Sequence, residues 1–177
     1  MTWPTHAASK SSPSDPPLRQ GSSRAIASTA NNFAREVFID ELAVAAKIDP
    51  LQFRLVNLDN ARLKNVLQTA ADKYEWNGKA SKERPNVGIG MACGTEKASY
   101  LATLAEVSID EKTEAISVTR VTQAFDCGPI HNPAGLMSQV QGAIMMSLGA
   151  ALRGGNSFRE RSDQEFQFRR LRPAAFR

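Results

Sequence analysis

Residues 100–125, YLATLAEVSIDEKTEAISVTRVTQAF, decide how this chain folds. Residues 100–109 and 115–125 are short runs rich in threonine, valine and isoleucine, a composition that fits a pleated, half-buried surface. Between them Asp110, Glu111, Lys112, Thr113 and Glu114 form a wholly polar break. The two runs therefore read as the arms of an antiparallel hairpin with a polar loop. The same strand character extends back to Gly88, across a region that follows a polar linker over residues 79–86.

Upstream of the linker the apolar period changes from strand-like to helical. Leu63, Val66, Leu67, Ala70, Ala71 and Tyr74 recur at helical spacing and are stopped by Asn77-Gly78. Asp49-Pro50-Leu51-Gln52 offers an N-cap aspartate, a proline at the first helical position and a glutamine three residues after the cap, so a short helix through Leu58 is expected. Before it, Asn31 or Asn32 can cap a helix ending near Lys47 that carries Phe33, Val37, Phe38, Leu42 and Ala45 on its apolar face. Downstream of the strands, Asn132-Pro133 caps and opens a helix. Its Met137, Val140, Ile144, Met145, Met146 and Leu148 leave little polar face, so burial is expected, with Gly142 and Gly149 allowing another backbone to approach. The fold class is α+β, with helices packed on an antiparallel sheet.

Composition sets the outer limits. With 177 residues, 42% hydrophobic and 23% charged, the chain can bury a real core. No apolar run approaches the roughly 18 residues of a spanning helix, and the first residues lack a basic-then-apolar export pattern, so no membrane span is expected and the default compartment is the cytoplasm. Residues 1–20, with Pro4, Pro13, Pro16 and Pro17, read as a flexible lead-in. The net charge of +4 lies in the tail, residues 153–177, where seven arginines face Glu160, Asp163 and Glu165. Residues 1–152 balance 15 basic against 15 acidic side chains, so nucleic-acid binding is not expected of the body.

Self-contained chemistry is sparse. Cys93 and Cys127, with His6 and His131, cannot supply a four-thiolate site, and any metal would arrive in a cofactor. Gly88-Ile89-Gly90 lacks the third glycine and following helix of a dinucleotide fingerprint. Cys127, in Asp126-Cys127-Gly128, reads first as a structural thiol at a tight turn, with a nucleophile served by His131 as the alternative. Asp40 and Glu41 read as the solvated side of the first helix, and Glu106 as a member of a cross-strand pair. No catalytic residue and no metal ligand is assigned.

Two ordered sets of motifs carry a family resemblance. The first is Asp126-Cys127-Gly128, Asn132-Pro133 and Gln139-Val140-Gln141-Gly142-Ala143. The second is Ser23-Arg24-Ala25-Ile26-Ala27, Asn31-Asn32-Phe33-Ala34, Phe38-Ile39-Asp40-Glu41-Leu42-Ala43, Asp49-Pro50-Leu51 and Phe53-Arg54-Leu55-Val56-Asn57-Leu58. Together they resemble the large, molybdenum-cofactor-binding subunit of the xanthine dehydrogenase and aldehyde oxidase family, over residues 18–152, and in particular its bacterial branch with nicotinate and isoquinoline dehydrogenases. Where the family has Gln-x-Glu-Gly-Ala, this chain carries Gln141 in place of the glutamate. The resemblance implies that Arg24 occupies a loop arginine position near the molybdenum site and that Gln139 is the helix glutamine that hydrogen-bonds the pterin. Both residue types suit those roles, since a guanidinium fork matches an oxygen-rich anion and an amide both donates and accepts.

The family hydroxylates an electron-poor carbon of an N-heterocycle or aldehyde with oxygen from water, and passes electrons to iron–sulfur clusters. The resemblance thus implies a molybdenum–pterin cofactor in its cytosine dinucleotide form, a small iron–sulfur (2Fe–2S) partner subunit, a cytochrome as electron acceptor, and a periplasmic location for a full-length relative. The family's catalytic glutamate lies in a Gly-Glu motif, and no Gly-Glu pair occurs in this sequence. The expectation is a partial cofactor-binding domain over residues 21–152, inactive on its own. Residues 153–177 are expected to be an aberrant tail, a frameshift product, because a shifted reading of them permits a family-like continuation. The alternative is a non-catalytic piece acting in subunit or nucleic-acid interaction.

Overall fold

The computed structural model describes residues 28–78 and 84–153, with the backbone pairs 158–159 and 162–163. The expected lead-in and most of the expected aberrant tail lie outside the described residues. Two units are distinguished, dividing after Gly128. The first holds α1 (Ser28–Ala46), α2 (Pro50–Asn57), α3 (Ala61–Tyr74), β1 (Val87–Glu96), β2 (Ser99–Ile109) and β3 (Ile116–Asp126). The second holds α4 (Pro133–Arg153) and the two-residue pair β4 (Phe158–Arg159) and β5 (Ser162–Asp163).

Local chemistry starts α2 and α4 where the sequence indicates, whereas α1 begins at Ser28, ahead of the expected caps Asn31 and Asn32, which lie within the helix. Asp49 Oδ1 accepts from the backbone N–H groups of Leu51 and Gln52 at 2.9 and 3.1 Å, and Pro50 opens α2. Asn60 caps α3 through its Oδ1, which accepts from Leu63 N at 3.0 Å. The left-handed residue that ends α3 is Glu75, at φ 68°, three positions before Gly78. The sheet is antiparallel in the order β1-β2-β3. The expected hairpin joins β2 to β3, and in its loop Asp110 Oδ1 accepts from Lys112 N, Thr113 N and the Thr113 hydroxyl. A second hairpin joins β1 to β2 through Lys97 and Ala98, both at positive φ. In β3, Thr119 is an extra residue between the positions that pair with Glu106 and Val107, a bulge that bends the strand.

The core lies between α3 and one sheet face, where Leu63, Val66, Leu67, Ala70, Ala71 and Tyr74 meet Met91, Cys93, Ala102 and Leu104, with Leu51 from α2. All six members of the sequence-derived stripe are buried. Burial of this apolar surface drives folding of the unit at roughly 25 cal/mol per Å² removed from water.

α1 departs from expectation. It presents Glu36 and Ala43 inward, while Phe33, at 72% exposure, Val37, Phe38 and Val44 point to solvent. The reason is Arg54, which is 2% exposed. Its Nε donates to Glu36 Oε2 at 3.1 Å, one terminal nitrogen to Asp40 Oδ1 at 2.7 Å, and the other to the carbonyls of Glu36 and Met91 at 3.2 and 3.1 Å. A buried guanidinium demands anionic partners, so α1 turns its acidic side inward. Close approach of α1 to β1 is possible because Gly94 carries no side chain; a Cβ there would lie 3.2 Å from Asn32 Nδ2.

α4 also departs from expectation. Asn132 caps it as read, accepting from Gly135 N at 2.9 Å, but Met137, Met145, Met146 and Leu152 are exposed, and a Cβ at Gly142 would meet open space. An apolar periodicity states what a helix can bury, and these side chains remain largely exposed. No helix among the described residues is long and apolar enough to cross a membrane.

Replacing Arg54 by Ala leaves Glu36 buried without its main cation and is expected to cost about 3–5 kcal/mol in urea unfolding. Asp40→Asn, at a carboxylate 41% exposed, is expected to cost about 1 kcal/mol or less. A loss below about 1 kcal/mol for Arg54→Ala contradicts this account.

Candidate functional site

The expected site combines Arg24 with the segment from Asp126 to α4. Arg24 lies outside the described residues. Gln139 sits in α4 and is exposed, and no hydrogen bond engages its amide among the described residues. That leaves the carbonyl free to accept and the NH₂ free to donate, the property a pterin-binding amide requires. Gln141 and Gly142 on the same helix are exposed as well. At this one position the chain fits the implied cofactor.

The strand end that leads toward this segment is fixed within the first unit. Asp126, the last residue of β3, receives a two-pronged contact from Arg62, Nε to Oδ2 at 2.9 Å and a terminal nitrogen to Oδ1 at 2.7 Å. Its Oδ1 also accepts from Gly128 N at 3.0 Å, which starts the turn, and Gly128 takes φ 80°, a conformation glycine adopts without strain. Arg62 stacks on Tyr100, 4.5 Å from the ring centre. The Arg62 side chain, and after it the Gly128 N–H, hold the Asp126 carboxyl at about 2, below its ordinary 3.8.

The other end of α3 carries a matching clamp. Glu106 Oε2 accepts from the Tyr74 hydroxyl at 2.8 Å and from Arg84 at 2.6 Å, and Oε1 accepts from the Thr119 hydroxyl at 2.8 Å. Arg120 lies 4.5 Å over the Tyr74 ring. Arg84, Thr119 and Tyr74, in that order, lower the Glu106 carboxyl from 4.5 to about 2, while burial and then Glu106 raise the Tyr74 hydroxyl. The expected cross-strand role of Glu106 is realised through Thr119, the bulge residue. Asp40 belongs to the Arg54 network, and only Glu41 keeps the solvated role expected for both acids.

The two thiols separate clearly. Cys93 is buried in the core, and burial followed by the charge of Glu36 pushes it up to about 12, so it is protonated at neutral pH. Cys127 is half-buried and His131 exposed. No group of three His, Cys, Asp or Glu side chains suited to a metal occurs among the described residues. The residues that sequence reading missed are Glu36, Arg54 and Arg62; Arg54 and Asp126 stand in the quoted motifs, but nothing local marks their partners.

Comparison with known proteins places these features in a family. The model of the molybdopterin cofactor-binding domain matches residues 65–161, more than half of the chain. A nicotinate dehydrogenase subunit from Pseudomonas putida is 30% identical over 159 residues, which cover 82% of this chain and 13% of that protein. The beta subunit of isoquinoline 1-oxidoreductase from Brevundimonas diminuta is 29% identical over 121 residues, 68% of this chain and 16% of that protein. The membrane-bound aldehyde dehydrogenase (pyrroloquinoline-quinone) of Gluconacetobacter polyoxogenes is 24% identical over 152 residues, 76% of this chain and 20% of that protein. The chain thus spans about one fifth or less of the length of these relatives.

Two outcomes are expected from the site. Under native conditions at pH 8 iodoacetamide should label Cys127 and spare Cys93 until the protein is unfolded; native labelling of Cys93, read by peptide mass spectrometry, would contradict its burial. The Glu106 and Asp126 carboxyls sit lower in the folded state than their ordinary values of 4.5 and 3.8. Their ionised forms therefore stabilise the fold fully above about pH 5, and this contribution is lost as pH falls toward 2. The double variant Glu106→Gln, Asp126→Asn should lose less stability than the parent between pH 5 and 2, and an unchanged slope in acid denaturation would refute the assignment.

Proposed function

The chain belongs to the molybdopterin cofactor-binding domain family, and from that premise we propose that it supplies part of the cofactor-binding surface of a molybdenum-dependent oxidoreductase acting on an N-heterocycle or an aldehyde. The observation that carries this reading is the exposed, unengaged amide of Gln139 on the glycine-bearing helix α4, inside the residues that match the family model. Gln139 holds the pterin by donating and accepting through its amide, and Arg24 contributes a cation toward the oxygen-rich end of the group. When bound, the group supplies oxidative hydroxylation of an electron-poor carbon with oxygen from water. We assign it the cytosine dinucleotide form, with iron–sulfur clusters carried by a partner subunit and a cytochrome beyond it.

Two of the relatives are named for nicotinate and isoquinoline, which supports the heterocycle reading, and a third is named for an aldehyde. Catalysis is not assigned to this chain acting alone. The Gly-Glu motif expected for the base is absent from the sequence, and Gln141, standing where the resemblance has a glutamate, has no titratable proton at neutral pH. The chain's own part is to bind and orient. A purely interacting role, with no cofactor, is the second reading, favoured by the exposed Met137 and Met145 of α4.

Purified protein should contain molybdenum by elemental analysis and pterin by fluorescence after oxidation, and both should fall at least tenfold in Gln139→Ala while the thermal melt stays in place. Folded protein free of both would overturn the proposal in favour of the interacting role.

A further inference from the structure

The outward face of α1 carries a stripe that the fold of the first unit does not use. Phe33, Val37 and Val44 follow one another along the helix, with Val44 74% exposed. Around the stripe Val37, Asp40, Glu41, Val44 and Ala45 line an open groove of about 430 Å³. Among the described residues no basic side chain lines it. One oxygen of Asp40 is taken by Arg54, and Glu41 forms no ion pair or hydrogen bond among the described residues. Among the described residues an apolar stripe with Asp40 and Glu41 beside it faces solvent, and Lys47 is exposed just beyond its end.

This charge pattern selects the occupant. A second copy laid along α1 would set Asp40 and Glu41 against the same acids of its neighbour, and like charges in an interface cost several kcal/mol. An anionic lipid surface is disfavoured for the same reason, since interfacial helices place lysine and arginine beside their apolar face. An amphipathic helix with arginine or lysine beside a leucine-type stripe satisfies both demands, filling the groove with its apolar residues and pairing its cations with Glu41 and the free oxygen of Asp40. From Phe33 to Val44 the stripe runs about 16 Å, the length of three helical turns. We propose that the outer face of α1 is a docking surface for a cationic amphipathic helix of another polypeptide. The surface lies outside residues 65–161, which the family model matches.

The test uses the full chain and a fluorescein-labelled, stapled helical peptide of alanine, leucine and arginine, with arginines flanking a leucine stripe, followed by anisotropy. Saturable binding is expected at a Kd on the order of 10 µM. Glu41→Lys should weaken it about tenfold and Val44→Asp should remove it, while both variants melt with the parent because both side chains are exposed. A peptide with glutamate in place of arginine should bind Glu41→Lys better than the parent chain. No saturable binding, or binding indifferent to both substitutions, overturns the proposal. So does a dimer in sedimentation that Val44→Asp dissolves, which gives the face to a second copy, or Val44-dependent binding to phosphatidylserine vesicles, which gives it to a membrane.

Discussion

The placing of α1 and α2 against β1 in the first unit depends on one buried cation. Arg54 offers five N–H donors in a rigid fork, and leaving any of them unpaired in the interior is costly. The structure engages the fork through the Glu36 carboxylate, Asp40, and the carbonyls of Glu36, Pro50 and Met91. Burial alone would lower the guanidinium's proton affinity, yet Asp40 and Glu36 more than offset it, so the group stays charged. The same carboxylate of Glu36 accepts from Cys93 N at 3.1 Å, and Arg35 donates to Cys93 O at 2.9 Å. Side chains of α1 and α2 thus satisfy backbone groups on the outer edge of β1 that another strand would otherwise take. An open strand edge is a liability, and here ion-paired side chains close it.

That arrangement dictates the orientation of α1. A helix has one inward side, and here it is occupied by Glu36 and Ala43, with Asp40 at its margin reaching Arg54. The phenylalanines and valines that periodicity assigns to a core are displaced outward. The exposed apolar stripe and the buried salt bridge are consequences of the same choice.

What the sequence shows and what it hides follow from the range of the interactions involved. The caps of α2 and α4, the stripe of α3 and the β2–β3 hairpin depend on residues within a few positions of one another, and Asp49, Asn132 and Asp110 each act on a backbone N–H two or three residues away. These are legible. The turn at Lys97 and Ala98 is not, because neither residue is a usual choice for positive φ and the turn is imposed by the pairing of β1 with β2. The facing of α1 is not legible either, since it depends on contacts between residues 36 and 54 and between 54 and 91. Of the candidate site, Gln139 is marked by its motif and proves exposed, whereas Arg62, which anchors Asp126, belongs to no local pattern.

The electrostatics of the first unit bear on what kind of chemistry this chain can contribute. A general base works best when its proton affinity lies near the working pH. Glu106 and Asp126 are driven the other way, to about 2, by arginines and hydroxyls or backbone donors that hold them ionised. Cys93 is driven up to about 12, where it is no nucleophile. Each shift removes a group from the reactive range and commits it to holding α3, β2 and β3 in place, or to filling the core. A unit built in this way is a support. For Glu106, Asp126 and Cys93 the part that remains is structural, and through them the first unit supplies geometry rather than a base or a nucleophile.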